Sequence, residues 1–251
     1  MSVIPAATVI LVRESERGLE VFLVKRHKKS SFMSNAFVFP GGKIDPTDAD
    51  AETAAARELF EEAGVLLADP APDVARLAAD RARLLDGQVA FNDLLAAANV
   101  GVDRSRLHWW SRWVTPMQEP RRFDAEFFVA ELPPGQTPSF DQKETVEELW
   151  ITPAAALERQ AAGELRLAPP QLRTFHELSA LDGGIAGVIA ASAQRQGHRA
   201  AICPRIVEDE GGIAIVLPWD PSFGDDALPS GHVLATPPSK FVWNGSAWRA
   251  M

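Results

Sequence analysis

Gly41-Gly42-Lys43-Ile44-Asp45 and, a short way on, Arg57-Glu58-Leu59-Phe60-Glu61-Glu62-Ala63-Gly64-Val65 read as a glycine loop feeding a helix lined with carboxylates. If residues 51–63 are helical, Glu58, Glu61 and Glu62 stand at i, i+3 and i+4, and their side chains converge on one face. Three carboxylates then share one small volume. At about 5 Å and an effective dielectric near 20, each pair repels by roughly 3 kcal/mol, a cost that a divalent cation reverses. The plainer reading is a solvated acidic helix face. The Gly-Gly loop and Arg57 beside the cluster favour a hard metal ion. Thr47 or Asp48 stands where an N-cap is needed, and Gly64 where a helix stops.

Upstream, residues 6–12 and 19–24 are β-rich runs separated by a polar stretch, the arrangement of a hairpin, and residues 36–39 add a short strand before Pro40. Downstream, residues 73–98 turn Ala/Leu/Arg-rich, with Val74, Leu77, Leu84, Phe91 and Leu94 among the apolar positions at helical spacing, and read as a helical insertion. The β signal returns in residues 107–115, 123–132 and 145–152. Pro153 opens a helix to Gln160, and another covers residues 171–181, entered at Pro169-Pro170 and left at Gly183-Gly184. Beyond it come a helix to Gln196 and two hairpin-like pairs marked by Gly211-Gly212 and Asn244-Gly245. The expected organisation is one domain over residues 1–182, with an insertion at about 73–98, and an extension over 183–251 packed on the same domain. The apolar strands of that extension point to packing on the domain or across a homodimer interface, so its removal is expected to cause insolubility.

A chain of 251 residues with 46% hydrophobic content can bury a substantial core. Its net charge of -9 and pI near 5.1 argue against tracking a nucleic-acid polymer, which needs a basic surface to displace counterions. A small phosphorylated ligand needs only local cations. Cys203 is the only cysteine, which excludes an intrachain disulfide and a cysteine-based metal cluster and suits a reducing compartment. Residues 6–12 are too short to span a membrane and follow no basic run, so no membrane association is expected and the cytoplasm is the default location. The five histidines show no metal-ligand spacing. No Ser-His-Asp or Cys-His arrangement can be placed. Seven tryptophans and no tyrosine leave Trp109, Trp110, Trp113 or Phe123 as platforms for a base, with core packing as the competing role.

The two quoted stretches resemble the signature of the Nudix hydrolases, G-x5-E-x7-R-E-U-x-E-E-x-G-U with U a bulky aliphatic residue. The segment from Arg57 to Val65 fits throughout. One residue more separates Gly42 from Arg57 than the signature has, so its first acidic position falls on Asp48 counted forward and on Ala49 counted back. The resemblance implies an α/β fold, a Nudix-type α/β/α sandwich with a mixed sheet, carrying the helical insertion and the C-terminal extension. It also implies that Glu58, Glu61 and Glu62 bind Mg²⁺ or Mn²⁺ with the backbone carbonyl of Gly41, since oxygen ligation suits those ions. Arg57 would orient a glutamate through its planar fork. Water would attack one phosphorus of a diphosphate, with Glu58 or a loop glutamate as base. Glu144 is the choice for that loop position, with Glu147 and Glu148 as rivals.

Lys25-Arg26, the run from Phe37 to Gly42, and Pro120-Arg121-Arg122-Phe123-Asp124 followed by Phe127-Phe128 resemble the coenzyme A diphosphatase branch of that family. Arg26 and Arg122 would clamp phosphates beside Phe123, against the alternative that each arginine is an ordinary solvated charge. The implied activity is metal-dependent hydrolysis of the diphosphate in a small nucleoside diphosphate derivative, with coenzyme A or an acyl-coenzyme A favoured. ADP-ribose, NADH or a dinucleoside polyphosphate is the alternative substrate. A non-catalytic nucleotide sensor of the same fold is the alternative of another class, and three intact glutamates argue against it.

Overall fold

The computed structural model of the chain describes residues 2–27, 36–141, 143, 145–209, 212–224, 227–228 and 232–251. Strand β1 (Ile4–Ser15) and strand β2 (Gly18–Arg26) form the expected hairpin, turned at Gly18 with φ +92°. Val9 to Val12 are fully buried, as a central strand covered on both faces requires. Both strands outrun the apolar runs because Arg13 and Glu20 pair across the ladder, with Arg13 Nε and Nη2 at 3.0 and 2.9 Å from Glu20 Oε2.

Strand β3 (Phe37–Val38) joins β2, and strand β4 (Gly41–Lys43) joins the beginning of β1. The Gly-Gly segment is therefore a short strand rather than a loop. Gly41 lies so close to β1 that an added Cβ would meet Ala7 O at 2.6 Å and Thr8 Cα at 2.7 Å. Helix α1 (Ala51–Ala63) follows, then a two-stranded ribbon of β5 (Ala68–Asp69) and β6 (Gly101–Val102) enclosing the insertion. The insertion is two helices, α2 (Val74–Leu85) and α3 (Phe91–Ala98), broken around Gly87 at φ +67°.

Strands β7 (His108–Val114), β8 (Phe123–Glu131) and β9 (Thr145–Ile151) complete the order β7-β8-β1-β2, with β9 also on β2. Strand β8 runs parallel to β1, and β7 antiparallel to β8, so the sheet is mixed. Helices α4 (Pro153–Ala161), α5 (Pro169–Ser179) and α6 (Gly184–Arg195) follow, and strand β10 (Ala201–Ile202) adds in parallel to the β7 edge. The register of β7 slips between Trp109 and Ser111, which leaves Trp110 as an extra residue in the strand. Helix α6 serves the backbone there: Ser192 Oγ donates to Trp109 O at 2.8 Å and Arg195 Nη1 to Trp110 O at 3.1 Å.

The two expected C-terminal pairs merge into one antiparallel sheet of β11 (Arg205–Asp209), β12 (Gly212–Val216), β13 (Lys240–Trp243) and β14 (Trp248–Ala250). Leu217, Leu234 and Phe241 from this region sit in the same apolar cluster as Phe22, Leu59 and Phe128. Among the described residues no helix is long and apolar enough to cross a membrane.

Candidate active site

Helix α1 is buried on two sides, and its acidic side chains are confined to the third. Ala55, Leu59 and Ala63 enter the main core, while Ala56 and Phe60 meet Leu77, Phe91 and Leu94 of the insertion. What remains is the face carrying Glu58, Glu61 and Glu62. Strand β4 closes on that face: Gly41 N–H donates to Glu62 Oε2 at 3.0 Å. A Cβ on Gly42 would stand 2.5 Å from Glu58 Oε1.

These two contacts predict different outcomes for neighbouring substitutions. Gly41→Ala strikes fixed backbone and should lower the unfolding temperature by several degrees, a loss of about 1–3 kcal/mol. Gly42→Ala strikes the end of a side chain that can move. It should fold normally but displace the Glu58 carboxylate, raising the Mg²⁺ concentration for half-maximal activity by about tenfold. Metal titrations and thermal unfolding of both variants check this.

Arg57 is the hub of the site. Its Nη1 reaches Glu58 Oε1 at 2.9 Å and Glu61 Oε2 at 3.2 Å, and its Nη2 reaches Lys43 O at 2.9 Å and Asp48 Oδ2 at 2.8 Å. Its Nε lies 3.0 Å from Asp48 Oδ1. Asp48 thus fills the first acidic position of the motif, the forward of the two counts, and its side chain is 2% exposed. With Asp48 engaged there, Asp50 is the N-cap of α1 in place of Thr47 or Asp48, accepting from Thr53 N at 2.8 Å. Gly64 ends the helix as expected, at φ +70°.

Burial works against the Arg57 charge, yet its hydrogen bonds to Asp48 and the charges of Glu58 and Glu61 outweigh it and hold the guanidinium firmly protonated. Burial pushes the Glu61 carboxyl upward, with Arg57 opposing. Glu62 is pushed up to about 8 by burial and the neighbouring Glu58 charge, against the Gly41 N–H and Arg26. The face thus brings three carboxyl groups to a single guanidinium, with Glu62 holding its proton at neutral pH. Glu58, Glu61 and Glu62 with the Gly41 carbonyl offer only oxygen donors, the chemistry that fits a hard divalent ion. Among the described residues no three acidic, His or Cys side chains are drawn together to ligating closeness. Two of the three glutamates are instead turned to Arg57.

A cleft of about 1140 Å³ opens over this face. Arg26 lines it, and its buried Nε has no hydrogen-bond partner among the described residues. Phe123 and Trp113 also line it, whereas Trp109 and Trp110 are core residues whose indole N–H groups reach Glu126 and Glu177. Arg122 is turned instead to Thr115 O at 2.9 Å, and its neighbour Arg121 takes the place in the cleft wall. Glu147 pairs with Lys25 at 2.7 Å, and Glu148 accepts from Phe140 N at 2.6 Å. Glu144 lies outside the described residues. Lys143 and Arg166 are cleft cations that no motif flagged.

A glycine-bearing strand against a glutamate-bearing helix, set in a mixed sheet, is the Nudix fold. Residues 46–180 match the family model described as the NUDT19 Nudix domain, more than half of the chain, and the chain belongs to the Nudix hydrolase family. It is 32% identical over 185 residues to "Putative nudix hydrolase 7" of Caenorhabditis elegans, covering 69% of this chain and 60% of that one. To "Acyl-coenzyme A diphosphatase NUDT19" of Homo sapiens it is 32% identical over 206 residues, covering 72% and 53%. The chain thus spans between about half and three-fifths of these relatives' length. A Nudix hydrolase crystal structure from Alicyclobacillus acidocaldarius superposes with a TM-score of 0.66 at 27% identity, over 76% of this chain and 96% of that one.

Proposed function

We propose that the chain hydrolyses the diphosphate linkage of a small nucleoside diphosphate derivative, with coenzyme A or an acyl-coenzyme A as the favoured substrate. The observation that carries this reading is the Arg57-keyed carboxylate face lining a cleft that also holds Arg26, Arg121, Lys143 and Arg166. The names of the NUDT19 relatives supply the substrate class.

Glu58, Glu61, Glu62 and the Gly41 carbonyl would hold a divalent ion, Mg²⁺ or Mn²⁺. When bound, such an ion supplies charge neutralisation at the phosphate oxygens and a more acidic water. Arg57 fixes the rotamers of Glu58 and Glu61, so the carboxylates meet the substrate preorganised. The Gly41 N–H orients Glu62. Arg26 faces the phosphates with a buried donor still to be used. Glu58, through the carboxylate oxygen that Arg57 does not hold, or Glu144 would accept the proton of the attacking water as general base. Phe123 and Trp113 offer flat faces to the base. Residues 183–251 act as part of the same domain, tied to it by Gln160 Nε2 donating to Trp248 O at 3.0 Å and Arg173 Nη2 donating to Leu234 O at 2.8 Å. Half-buried Cys203 suits a reducing compartment, in the simplest case the cytoplasm.

The test is incubation with coenzyme A, octanoyl-coenzyme A, ADP-ribose, NADH and a dinucleoside polyphosphate, each with Mg²⁺ or Mn²⁺ and with a chelator. Release of two phosphomonoesters from the coenzyme A compounds, abolished by chelator, is the expected result. Binding without release would favour a sensor.

A further inference from the structure

The cleft draws its charged and its uncharged lining from different parts of the chain, a division that the hydrolytic site does not explain. Every charged residue that lines it lies at or before Arg166, and every lining residue after Gln171 is uncharged. This second wall is the sheet β11–β14. Residues directly opposite in an antiparallel ladder share a face, as do residues two apart along a strand. The registers Ile206↔Ile215, Ile215↔Phe241 and Trp243↔Trp248 therefore put Ile206, Ile215, Phe241, Ile213, Trp243 and Trp248 on one side of the sheet, with exposed Glu208 opposite Ile213 at its outer edge and outside the cleft lining. Phe241 is fully buried, while Ile213 is 51% exposed at the cleft. The Trp243 and Trp248 rings stand 5.3 Å apart beside it. One exposed isoleucine is ordinary, but an apolar row running from the core into a concave wall marks a ligand surface.

Gln171, in the first turn of α5, lines the same cleft. The residue is 7% exposed, and its buried Oε1 has no hydrogen-bond partner among the described residues. A buried acceptor without a donor is costly, and an N–H group on a ligand would supply one.

We propose that Ile213, Ile215, Trp243 and Trp248, with Gln171 at their edge, form a subsite for the second arm of the substrate. The arm is an amide-bearing chain ending in an apolar group, joined to the nucleoside through the diphosphate. The proposal rests on the hydrolase reading only for the placement of the diphosphate at the glutamates. One cleft lined by both cations and an apolar sheet face suits such an amphipathic molecule.

Tryptophan fluorescence titration in chelator reads binding without turnover, using octanoyl-coenzyme A, coenzyme A and ADP-ribose on the full chain. Octanoyl-coenzyme A should bind about tenfold more tightly than coenzyme A. Ile213→Asn, an uncharged change at an exposed position, should erase that preference while moving ADP-ribose affinity by less than about twofold. Trp248→Leu should weaken it in the same direction. In hydrolysis assays Ile213→Asn should raise KM for octanoyl-coenzyme A about tenfold at unchanged kcat. A wild-type protein without the preference, or both variants retaining it, overturns the subsite. Absence of hydrolysis with the preference intact counts against the hydrolase reading and leaves the subsite standing.

Discussion

Glu61→Gln is expected to lower turnover by about two to four orders of magnitude while leaving the fold in place. Glu61 stands at one edge of the carboxylate face, its side chain 26% exposed, with Arg57 Nη1 at 3.2 Å from Oε2. Glutamine keeps the shape and one acceptor for that guanidinium. It removes the negative charge that an ion would need, and with it the anionic density that balances a phosphate-bound cation. Initial rates at saturating Mg²⁺ against coenzyme A, together with thermal unfolding, check both halves. The unfolding temperature should stay within about 2 °C of wild type. Turnover equal to wild type would remove Glu61 from the site.

Arg57→Ala should produce the largest loss of stability of any single change at the site, about 3–5 kcal/mol, or on the order of 10 °C in unfolding temperature. The guanidinium is 8% exposed and is the shared partner of Asp48, Glu58 and Glu61, and it also donates to the Lys43 carbonyl. Truncation leaves Asp48 buried with the Asp45 N–H, 2.8 Å from Oδ2, in place of a cation, and with two more carboxylates left without Arg57. Arg57→Lys should recover only part of the loss, because an ammonium cannot engage Asp48 and Glu58 in one plane. Chemical denaturation of the three proteins without metal measures this ordering. An Arg57→Ala protein as stable as wild type would contradict the account of the hub.

Much of this was legible along the chain because it is local. The bounds of α1 follow from Gly64 and the i, i+3, i+4 spacing, and the helix runs over residues 51–63 as read. The role of Asp48 was not, since counting along the sequence cannot tell whether an inserted residue falls before or after the acidic position. The Arg57 side chain settles it in space. Arg121 and Arg122 show the same limit at finer grain: β8 begins at Phe123, and one residue of register decides which arginine faces the cleft. The second wall was illegible for a different reason. β12 and β13 pair across more than twenty residues of intervening chain, and no turn signal announces that pairing.

The extra residue at Trp110 bears on the ancestry of the chain. The stretch matched to the family stops at residue 180, yet the carbonyls of Trp109 and Trp110 are satisfied by Ser192 and Arg195, which lie beyond it. A homologue without this helix would have to run the strand in simple register or find donors elsewhere. Insertion in the strand and presence of the later helix should therefore be inherited together, so that one additional position in an alignment foretells a helix eighty residues downstream.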